Sequence, residues 1–474
     1  MITFFLSLLA LILGYALYGG FVERVFGPHN HRTPALKIHD GVDYIPMPLW
    51  KIFMIQFLNI AGTGPIFGSI MGAMFGPSAY LWIVFGCIFA GATHDYLSGM
   101  ISIRNGGVGY PEIIGKYLGN RTKKVMLLFT ILLLIMVGAV FVYSPAIILS
   151  GITGSFMMWA VIIFIYYFIA TMMPIDKIIG KVYPLFAFAL MFMALAVLVG
   201  LVWKMPELPE IWDGLDNRNT KMGPIVPTLF ITIACGAISG FHATQSPLMA
   251  RCIKHEKLGR PVFYGAMITE GVVALIWATV ASYFFYGGGA AELGADTSAS
   301  APQIVNIVSK SWLGVFGSIL ALLGVVAAPI STGDTAMRSA RLIIADFIHL
   351  NQKSITNRLL ISVPLFVVTI LVLWYNIADA DGFNVIWNYF GWANQTLSIF
   401  TLWAFTVYLA QQHKPYFITL IPALFMTFVC TTFLLISPIA FGLDNQLSYV
   451  IGGCVLIVAI IWFGWWYRKN ILVK

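Results

Sequence analysis

The sequence predicts an all-α integral membrane protein with about thirteen transmembrane helices. First, 59% of its 474 residues are hydrophobic and only 10% are charged, whereas soluble domains carry about 25% charged residues. Second, thirteen separate stretches are apolar over about 20 residues, the length that crosses a hydrocarbon core of about 30 Å. Third, the basic residues fall into a two-sided pattern. A soluble fold could not bury this much apolar surface, and a nucleic-acid-binding class is not expected.

The thirteen stretches are called spans 1 to 13 below. Loops between consecutive spans alternate between two sides of the membrane, and side A holds the first, third and every further odd-numbered loop together with the C-terminus. By this count 23 of the 27 Lys and Arg residues lie on side A. The spans run approximately over residues 2–22, 52–75, 78–103, 124–149, 154–174, 182–203, 224–249, 261–287, 311–333, 356–377, 383–411, 415–436 and 446–467.

The excess of basic residues predicts the orientation, because cytoplasmic loops are enriched in Lys and Arg. Side A is therefore expected to be cytoplasmic, with the N-terminus outside and the C-terminus inside. The first span has no basic n-region and no clear cleavage site, so we interpret it as a retained span rather than a signal peptide. The five cysteines are scattered and form no C-x-x-C pair, so neither a disulfide framework nor a metal site is expected.

Spans 2 and 7 are predicted to be discontinuous. Span 2 contains three glycines and Pro65 within residues 62–68, and span 7 contains a similar Gly- and Ser-rich stretch that ends at Pro247. Unwound backbone at membrane depth must line a cavity or be buried in protein, because lipid cannot satisfy its hydrogen bonds. A pair of such segments in corresponding halves indicates a transporter site. For span 2, helix packing through Gly64, Gly68 and Gly72 is an equally good alternative.

The spacing of the two breaks predicts an inverted repeat. Span 7 follows span 2 by five spans, an odd number, so the two five-span units would cross the membrane in opposite senses. The predicted organisation has a peripheral first span and cytoplasmic loop, repeat A with spans 2–6, repeat B with spans 7–11, and two peripheral C-terminal spans. These four parts cover residues 1–50, 51–205, 206–411 and 412–474.

Four ionisable residues inside spans are candidates for coupling, because a charge in a membrane is costly and usually functional. They are Asp95, His242, Glu270 and Asp334. A carboxyl group in a low-dielectric setting can hold a proton near neutral pH, and histidine titrates there without help. Two structural alternatives stay open. Asp95 could pair with Arg104 and end span 3, and Asp334 could pair with the residue four positions later.

Several motifs resemble the carbon-starvation (CstA) family of bacterial inner-membrane transporters. They cover the chain in order from about residue 50 to 405, and the motif in span 7 is the most specific. The resemblance implies uptake of pyruvate or short peptides during starvation, use of a proton gradient, and a five-plus-five inverted-repeat core of the LeuT or amino acid–polyamine–organocation type. The motifs are residues 60–66 (IAGTGPI), 91–95 (GATHD), 102–106 (SIRNG), 230–247 (FITIACGAISGFHATQSP), 341–344 (RLII) and 390–396 (FGWANQT).

We therefore expect a secondary active transporter that works by alternating access, not an enzyme. The partners expected are a small-molecule substrate and the bilayer of the bacterial inner membrane, with a proton or sodium gradient in place of any cofactor. A sodium-coupled transporter of another metabolite and a passive channel are the alternatives. The substrate is expected between the two breaks and beside span 11, and its candidate ligands are Gly62, Thr63, Gly64, Ser239, His242, Thr244, Gln245, Asn394 and Gln395.

Overall fold

A computed structural model describes residues 1–39, 44–151, 153–172, 175–348, 350, 354–378 and 382–472. Regular structure in these ranges is helical, and they contain no strand. The first six spans are Ile2–Leu13 continued by Gly14–Tyr18 and Gly19–Phe26; Leu49–Ile60 and Gly64–Ala73; Ser78–Phe85, Gly86–Gly91 and Ala92–Arg104; Asn120–Ser150; Phe156–Met172; and Ile175–Lys204. The remaining seven are Ile225–Thr232 and His242–Ala250; Arg260–Tyr264 and Gly265–Tyr286; Ala301–Phe347; Ile355–Ala378; Gly382–Gln411; Phe417–Ile436; and Asn445–Tyr467 continued by Arg468–Leu472.

Seven described helices are long and apolar enough to cross a membrane, and the bent pair in span 2 would make an eighth. Span 11 is also missing from these seven, although its helix has 30 residues. The other predicted spans that are missing are shorter or interrupted. Span 5 has 17 described residues, and the end predicted for it at residues 173 and 174 lies outside the described ranges. Span 9 belongs to a helix that begins earlier than expected, at Ala301, and is interrupted at Gly314, where φ is +63°. The count of thirteen therefore stays a prediction.

Both predicted breaks are confirmed. In span 2 the helix ends at Ile60 and resumes at Gly64 after a 48° bend. Pro65 opens the second half, where its missing N–H costs no intrahelical hydrogen bond. In span 7 the helix ends at Thr232 and resumes only at His242. Glycine has a low helix propensity, so the Gly-rich stretch between these residues favours this interruption.

The contacts between spans are reciprocal. The second half of span 2 packs against span 8, and the second half of span 7 packs against the inner half of span 3. Span 4 packs against span 11, and span 9 packs against span 6. Exchanging spans 2–6 with spans 7–11 maps each of these contacts onto its counterpart. This pattern is the one expected of the predicted repeat, while the repeat itself and the four domain boundaries stay predictions.

Burial separates the core from the periphery. In the apolar stretch of span 8, 83% of the residues are buried, compared with 33% for span 1 and 17% for span 13. Spans 8 and 2 therefore belong to the centre of the molecule, and span 13 turns most of its apolar surface outward. An outward apolar surface of this kind suits contact with lipid.

Candidate functional site

The two breaks touch each other directly. A methyl group added to Gly64 would lie 2.3 Å from the sulfur of Cys235, at the start of the break in span 7. A methyl group on Gly240, at the end of that break, would lie 2.4 Å from the carbonyl oxygen of Asn394 in span 11. Such separations are far below van der Waals contact. Glycine at both positions therefore allows spans 2, 7 and 11 to approach at backbone distance.

Asn394 stabilises the break in span 7. Its side-chain oxygen accepts hydrogen bonds from the Ser239 hydroxyl at 3.1 Å and from the Phe241 amide at 2.7 Å. Its amide nitrogen lies 3.6 Å from the sulfur of Cys235. Because Asn394 is fully buried, these contacts replace the hydrogen bonds that an unwound backbone would otherwise lack. Asn394 is one of the predicted substrate ligands, and the contacts described here are structural.

A buried cluster of histidines and carboxylates lies beside this break. The two oxygens of Asp95 lie 2.8 Å from Nδ1 of His94 and 2.8 Å from Nδ1 of His242. Nε2 of His242 lies 3.5 Å from a carboxylate oxygen of Glu270. All four residues are 0% exposed. Spans 3, 7 and 8 therefore bring together three of the four candidate coupling residues.

The structural alternative for Asp95 is wrong, because Arg104 does not pair with it. Arg104 instead donates to the Gly27 carbonyl at 2.5 Å and to Glu256 at 3.2 Å, which joins loops on side A. Asp95 faces the interior and two imidazole rings. A residue that merely ended a helix at the membrane surface would not need two buried histidine partners.

Cys235 adds a thiol to the cluster. Its sulfur, a ring nitrogen of His242 and a carboxylate oxygen of Glu270 lie within 4.8 Å of one another. The sulfur also lies 3.8 Å from the Ser239 hydroxyl, besides its contact with Asn394. We interpret the thiol as part of the packing of the break, and the expectation that the chain has no metal site stays a prediction.

The remaining predicted substrate residues differ in their contacts. The Gly62 amide donates to the Ile60 carbonyl at 3.0 Å, so in this conformation the amide is hydrogen-bonded within the turn of span 2. The Thr63 hydroxyl is buried and has no hydrogen-bond partner. Gln245 donates to the Thr244 hydroxyl at 2.9 Å and keeps an unpartnered oxygen. Gln395 donates to the Phe230 carbonyl at 3.0 Å, in the first half of span 7.

Two site residues on span 2 were missed by the sequence analysis. Gln56 and Asn59 are 0% exposed, and both polar atoms of each side chain lack a hydrogen-bond partner among the described residues. Buried amides normally have partners, so two unpartnered amides one turn apart next to a break point to a polar binding region. The sequence contains the signal for both residues, because amides inside an apolar span are rare.

Asp334 lies in a second buried cluster, on spans 6 and 9. It accepts a hydrogen bond from the Tyr183 hydroxyl at 2.9 Å, and Arg338 lies 3.9 Å away. The predicted pairing with the residue four positions later is thus present, although it is loose. On the same helix, the Thr332 hydroxyl lies 3.3 Å from the Leu58 carbonyl oxygen, next to the break in span 2.

Two cavities approach the breaks from opposite sides. The side-A vestibule has a volume of about 600 Å³ and includes Tyr110, Lys124, Thr244 and Arg251 in its lining. The side-B vestibule has a volume of about 730 Å³, and its lining includes Ile70, Lys221, Thr228, Ser298 and Asn388. Thr228 and Thr244 lie on either side of the break in span 7, and the residues between them are buried except for Phe230, which is half-buried. The conformation is therefore closed at its centre.

The match to known families covers most of the chain. The model described as "Carbon starvation protein CstA" matches residues 1–150, 142–310 and 287–433. An uncharacterized membrane protein of Haemophilus influenzae is 45% identical over 60% of this chain and 91% of its own length. The Peptide transporter CstA of Campylobacter jejuni is 28% identical over 64% of this chain. The Pyruvate/proton symporter BtsT of Escherichia coli is 26% identical over 53% of this chain. The alignments span about half of the two named transporters, 53% and 44% of their lengths.

Solved structures with the same fold are also transporters. A manganese transporter of Eremococcus coleocola superimposes with a TM-score of 0.60 at 14% identity, over 92% of this chain and 99% of that chain. A sodium-coupled sialic acid symporter superimposes with a TM-score of 0.58 at 14% identity, over 96% and 95% of the two chains. At this identity the likeness establishes the fold alone, which is LeuT-like. The family match and the named relatives confirm the expectation of a transporter family rather than an enzyme family.

Proposed function

This chain is a multi-pass membrane protein of the carbon starvation CstA family, and we propose that it imports a small nutrient, pyruvate or a short peptide, together with protons. The proposal places it in the bacterial inner membrane with the N-terminus outside and side A in the cytoplasm. Its relatives include a transporter named for peptides and a symporter named for pyruvate and protons. Pyruvate and peptides both carry a carboxylate, so a binding site for a carboxylate group could accept either solute.

The observation that carries the proposal is the closed centre between two vestibules. A cavity reaches Thr228 from side B and another reaches Thr244 from side A, and the two broken helices separate them. Alternating access requires a site that opens to one side at a time, at the interface of two repeats. A passive channel would instead need a continuous pore.

The substrate is proposed to bind between Thr63 and Gly64 on span 2 and the break of span 7. The second half of span 2 begins at Gly64, and the N-terminus of a helix favours an anionic group through its dipole and free amides. Gln56, Asn59 and Thr63 offer unpartnered polar atoms for the rest of the substrate. Ser239 and Asn394 are proposed to stabilise the break in span 7. Thr244, Gln245 and Gln395 are proposed to lie along the path of the substrate, on either side of that break.

Proton coupling is proposed for the cluster of Asp95, His242 and Glu270, with Asp334 as a separate candidate. Within the part of the chain that the structure describes, both oxygens of Glu270 and Nε2 of His242 lack hydrogen-bond partners although they are fully buried. An ionised carboxylate in such a place would be poorly compensated, so a proton on Glu270 or His242 stabilises the closed state. Binding of a proton thus favours one conformation over another, which is what coupling requires.

The test is uptake of labelled pyruvate into proteoliposomes, with and without an inward proton gradient. We expect gradient-dependent accumulation above equilibrium, and competition by unlabelled di- and tripeptides if peptides share the site. We expect Glu270→Gln to abolish accumulation because the amide cannot release a proton. Glu207→Gln, which changes an exposed acid of the loop after span 6, is the matched control.

Other outcomes would change the proposal. Accumulation driven only by sodium would assign coupling to a cation, for which Thr332 and the Leu58 carbonyl lie close together beside the break. Downhill flux without accumulation would indicate a channel. Accumulation that persists at full rate in Glu270→Gln would remove Glu270 from the coupling mechanism.

A further inference from the structure

The buried cluster of Asp95, His242 and Glu270 is connected through His94 to further polar groups. Asp95 bridges His94 and His242 through two contacts of 2.8 Å. His242 does not form any other described side-chain hydrogen bond, but its Nε2 faces Glu270 at 3.5 Å. His94 lies on the opposite side of Asp95, away from Glu270 and towards span 11. A buried histidine that hydrogen-bonds through both ring nitrogens can take up a proton at one and release a proton from the other.

The second nitrogen of His94 leads to the side-A vestibule. Nε2 of His94 lies 3.0 Å from the hydroxyl oxygen of Thr401, and this oxygen lies 3.4 Å from the hydroxyl of Tyr110. Tyr110 is only 2% exposed and belongs to the lining of the side-A vestibule. Polar atoms therefore follow one another from Glu270 in span 8 to the cavity on side A, without passing through the substrate region between spans 2 and 7.

We propose that His94, Thr401 and Tyr110 form a proton pathway between the coupling cluster and the side-A vestibule, which meets the path of the substrate only in that vestibule. This inference rests on the proposed function, because it assumes that protons drive transport. It assigns a role to three residues that the sequence analysis did not select. His94 exchanges the proton with Asp95, and the two hydroxyl groups carry it to water.

The release step runs from His94 outward. In this conformation the hydroxyl groups of Thr401 and Tyr110 both donate to the Leu397 carbonyl, at 2.9 and 3.0 Å, so each must rotate before it can pass a proton outward. A His94 imidazolium then gives its Nε2 proton to the Thr401 oxygen, and the Thr401 hydroxyl proton passes to the Tyr110 oxygen. The Tyr110 proton passes to water in the vestibule. Each hydroxyl group regains the proton that it gives, and His94 becomes neutral. Hydroxyl groups can donate and accept at the same time, which suits them to this exchange.

The reloading step starts at Glu270. The Glu270 carboxyl proton moves to Nε2 of His242, and the Nδ1 proton of His242 moves to Asp95. After release, the remaining proton of His94 lies on Nδ1, so the ring must first rotate to place this proton on the side of Thr401. Asp95 then passes a proton to the free ring nitrogen that faces it, and His94 becomes an imidazolium again. His242 returns to its first tautomer by a rotation of the same kind. One proton has left Glu270 and one has entered the vestibule, and the Asp95 carboxylate is restored.

The spacing within the pathway fits a gated relay. Its central contacts measure 2.8 to 3.0 Å, which is hydrogen-bond distance, whereas the links to Glu270 and Tyr110 measure 3.5 and 3.4 Å. In the proposed relay, the two longer links shorten when a proton crosses them.

The thiols of Cys87 and Cys235 are further titratable groups that interact with Glu270 and Asp95.

A purely structural role would give a different result. The same contacts join spans 3, 7 and 11, so a variant could fail simply because these helices separate. Net proton movement distinguishes the two roles. Gradient-driven uptake requires the proton to be released in each cycle, whereas equilibrium exchange of labelled for unlabelled substrate needs only the loaded carrier to move back and forth. Loss of the relay therefore affects uptake and spares exchange.

The experiment compares Tyr110→Phe and Thr401→Val with Tyr117→Phe in proteoliposomes of the full chain. Tyr117 lies in the same short helix as Tyr110, and its hydroxyl is not part of the pathway. We expect the first two variants to lower the initial rate of proton-driven pyruvate uptake by about tenfold or more. Equilibrium exchange of pyruvate should stay close to that of the wild type, and Tyr117→Phe should resemble the wild type in both assays.

Each alternative outcome is informative. Undiminished proton-driven uptake in Tyr110→Phe and Thr401→Val would refute the pathway while leaving the proposed function intact. An equal loss of uptake and exchange in both variants would assign the contacts a structural role and would also refute it. Absence of proton-driven uptake in the wild type would instead refute the proposed function, and the pathway with it.

Discussion

Asn394 shows how a single side chain can stabilise an irregular backbone inside a membrane protein. It comes from span 11, yet its oxygen accepts hydrogen bonds from two groups of the break in span 7. Lipid offers no alternative partner for the Phe241 amide. The break therefore depends on a residue about 150 positions away along the chain.

Asn394→Ala should lower the stability of the protein by about 1–3 kcal/mol, because a buried amide and a buried hydroxyl lose their acceptor. The measurement is the midpoint of thermal unfolding in detergent. Asn388→Ala is the matched control, since Asn388 lies on the same helix at the rim of the side-B vestibule and is only half-buried. Equal midpoints for the two variants would contradict the role given to Asn394.

The sequence analysis selected ionisable residues better than neutral polar ones. Asp95, His242 and Glu270 were predicted as candidates because charge inside a span is costly, and the structure brings the three together. Thr401 could not be selected, because a threonine in a helix usually bonds to its own backbone, and this one also donates to the Leu397 carbonyl at 2.9 Å. Only the fold reveals that it faces His94.

At the scale of elements, the breaks of spans 2 and 7 act as one unit. The glycines that the sequence analysis associated with unwinding also serve packing, because Gly64 leaves room for Cys235. The two interpretations of span 2, packing and unwinding, therefore hold together. The positions of the breaks could be predicted from Gly and Pro. The sequence analysis did not predict the π-helical segments of spans 1, 3, 8 and 13, which are Gly14–Tyr18, Gly86–Gly91, Arg260–Tyr264 and Arg468–Leu472.

Gly64→Ala should destabilise the contact between the breaks by about 1–3 kcal/mol, the usual cost of overpacking a tight interior. The added methyl group would lie 2.3 Å from the sulfur and 2.5 Å from Cβ of Cys235. Cys235→Gly removes both atoms and should restore much of the lost stability in the double variant. Thermal unfolding in detergent measures both effects.

The matched control for Gly64→Ala is Gly453→Ala. Gly453 lies in span 13, and a methyl group there would have no neighbour within 4 Å. We expect Gly453→Ala to be neutral or slightly stabilising, because alanine has the higher helix propensity. If Gly64→Ala were equally harmless, the close approach of the two breaks would be incorrect.

At the scale of the whole molecule, Glu210 attaches the first span to the loop after span 6. Its carboxylate accepts hydrogen bonds from the Ile2 amide at 2.9 Å and the Thr3 amide at 2.6 Å, and it pairs with the Met1 amine. Partial burial raises the pKa of Glu210, but the amine, the Thr3 hydroxyl and the two amides outweigh this and lower the pKa to about 2.

This contact should make stability depend on pH in a defined range. A carboxylate with a lowered pKa stabilises the folded state fully above its ordinary value of 4.5, and the stabilisation is lost as the pH falls towards about 2. The thermal midpoint of the wild type should therefore fall between these pH values, and Glu210→Gln should remove that part of the decrease. Glu207→Gln should keep it, and an identical pH profile for Glu210→Gln and the wild type would contradict the assignment.

The distribution of basic residues is also a property of the whole molecule. The side-A vestibule is lined in part by Lys123, Lys124 and Arg251, which belong to the loops that the span count placed on the basic side. The all-helical membrane class and the transporter family could be predicted from composition and motifs. The closed state of the centre could not, because it depends on how the two halves pack rather than on any local pattern.

The most direct test of the account is the accessibility of the two vestibules in one protein. Thr228→Cys on side B and Thr244→Cys on side A would each be introduced alongside Cys454→Ser, which removes the exposed native thiol, and labelled with a maleimide with and without pyruvate and a proton gradient. Alternating access predicts that any condition that raises labelling at one position lowers it at the other. Labelling that rises at both positions together would show a continuous pore and contradict the account.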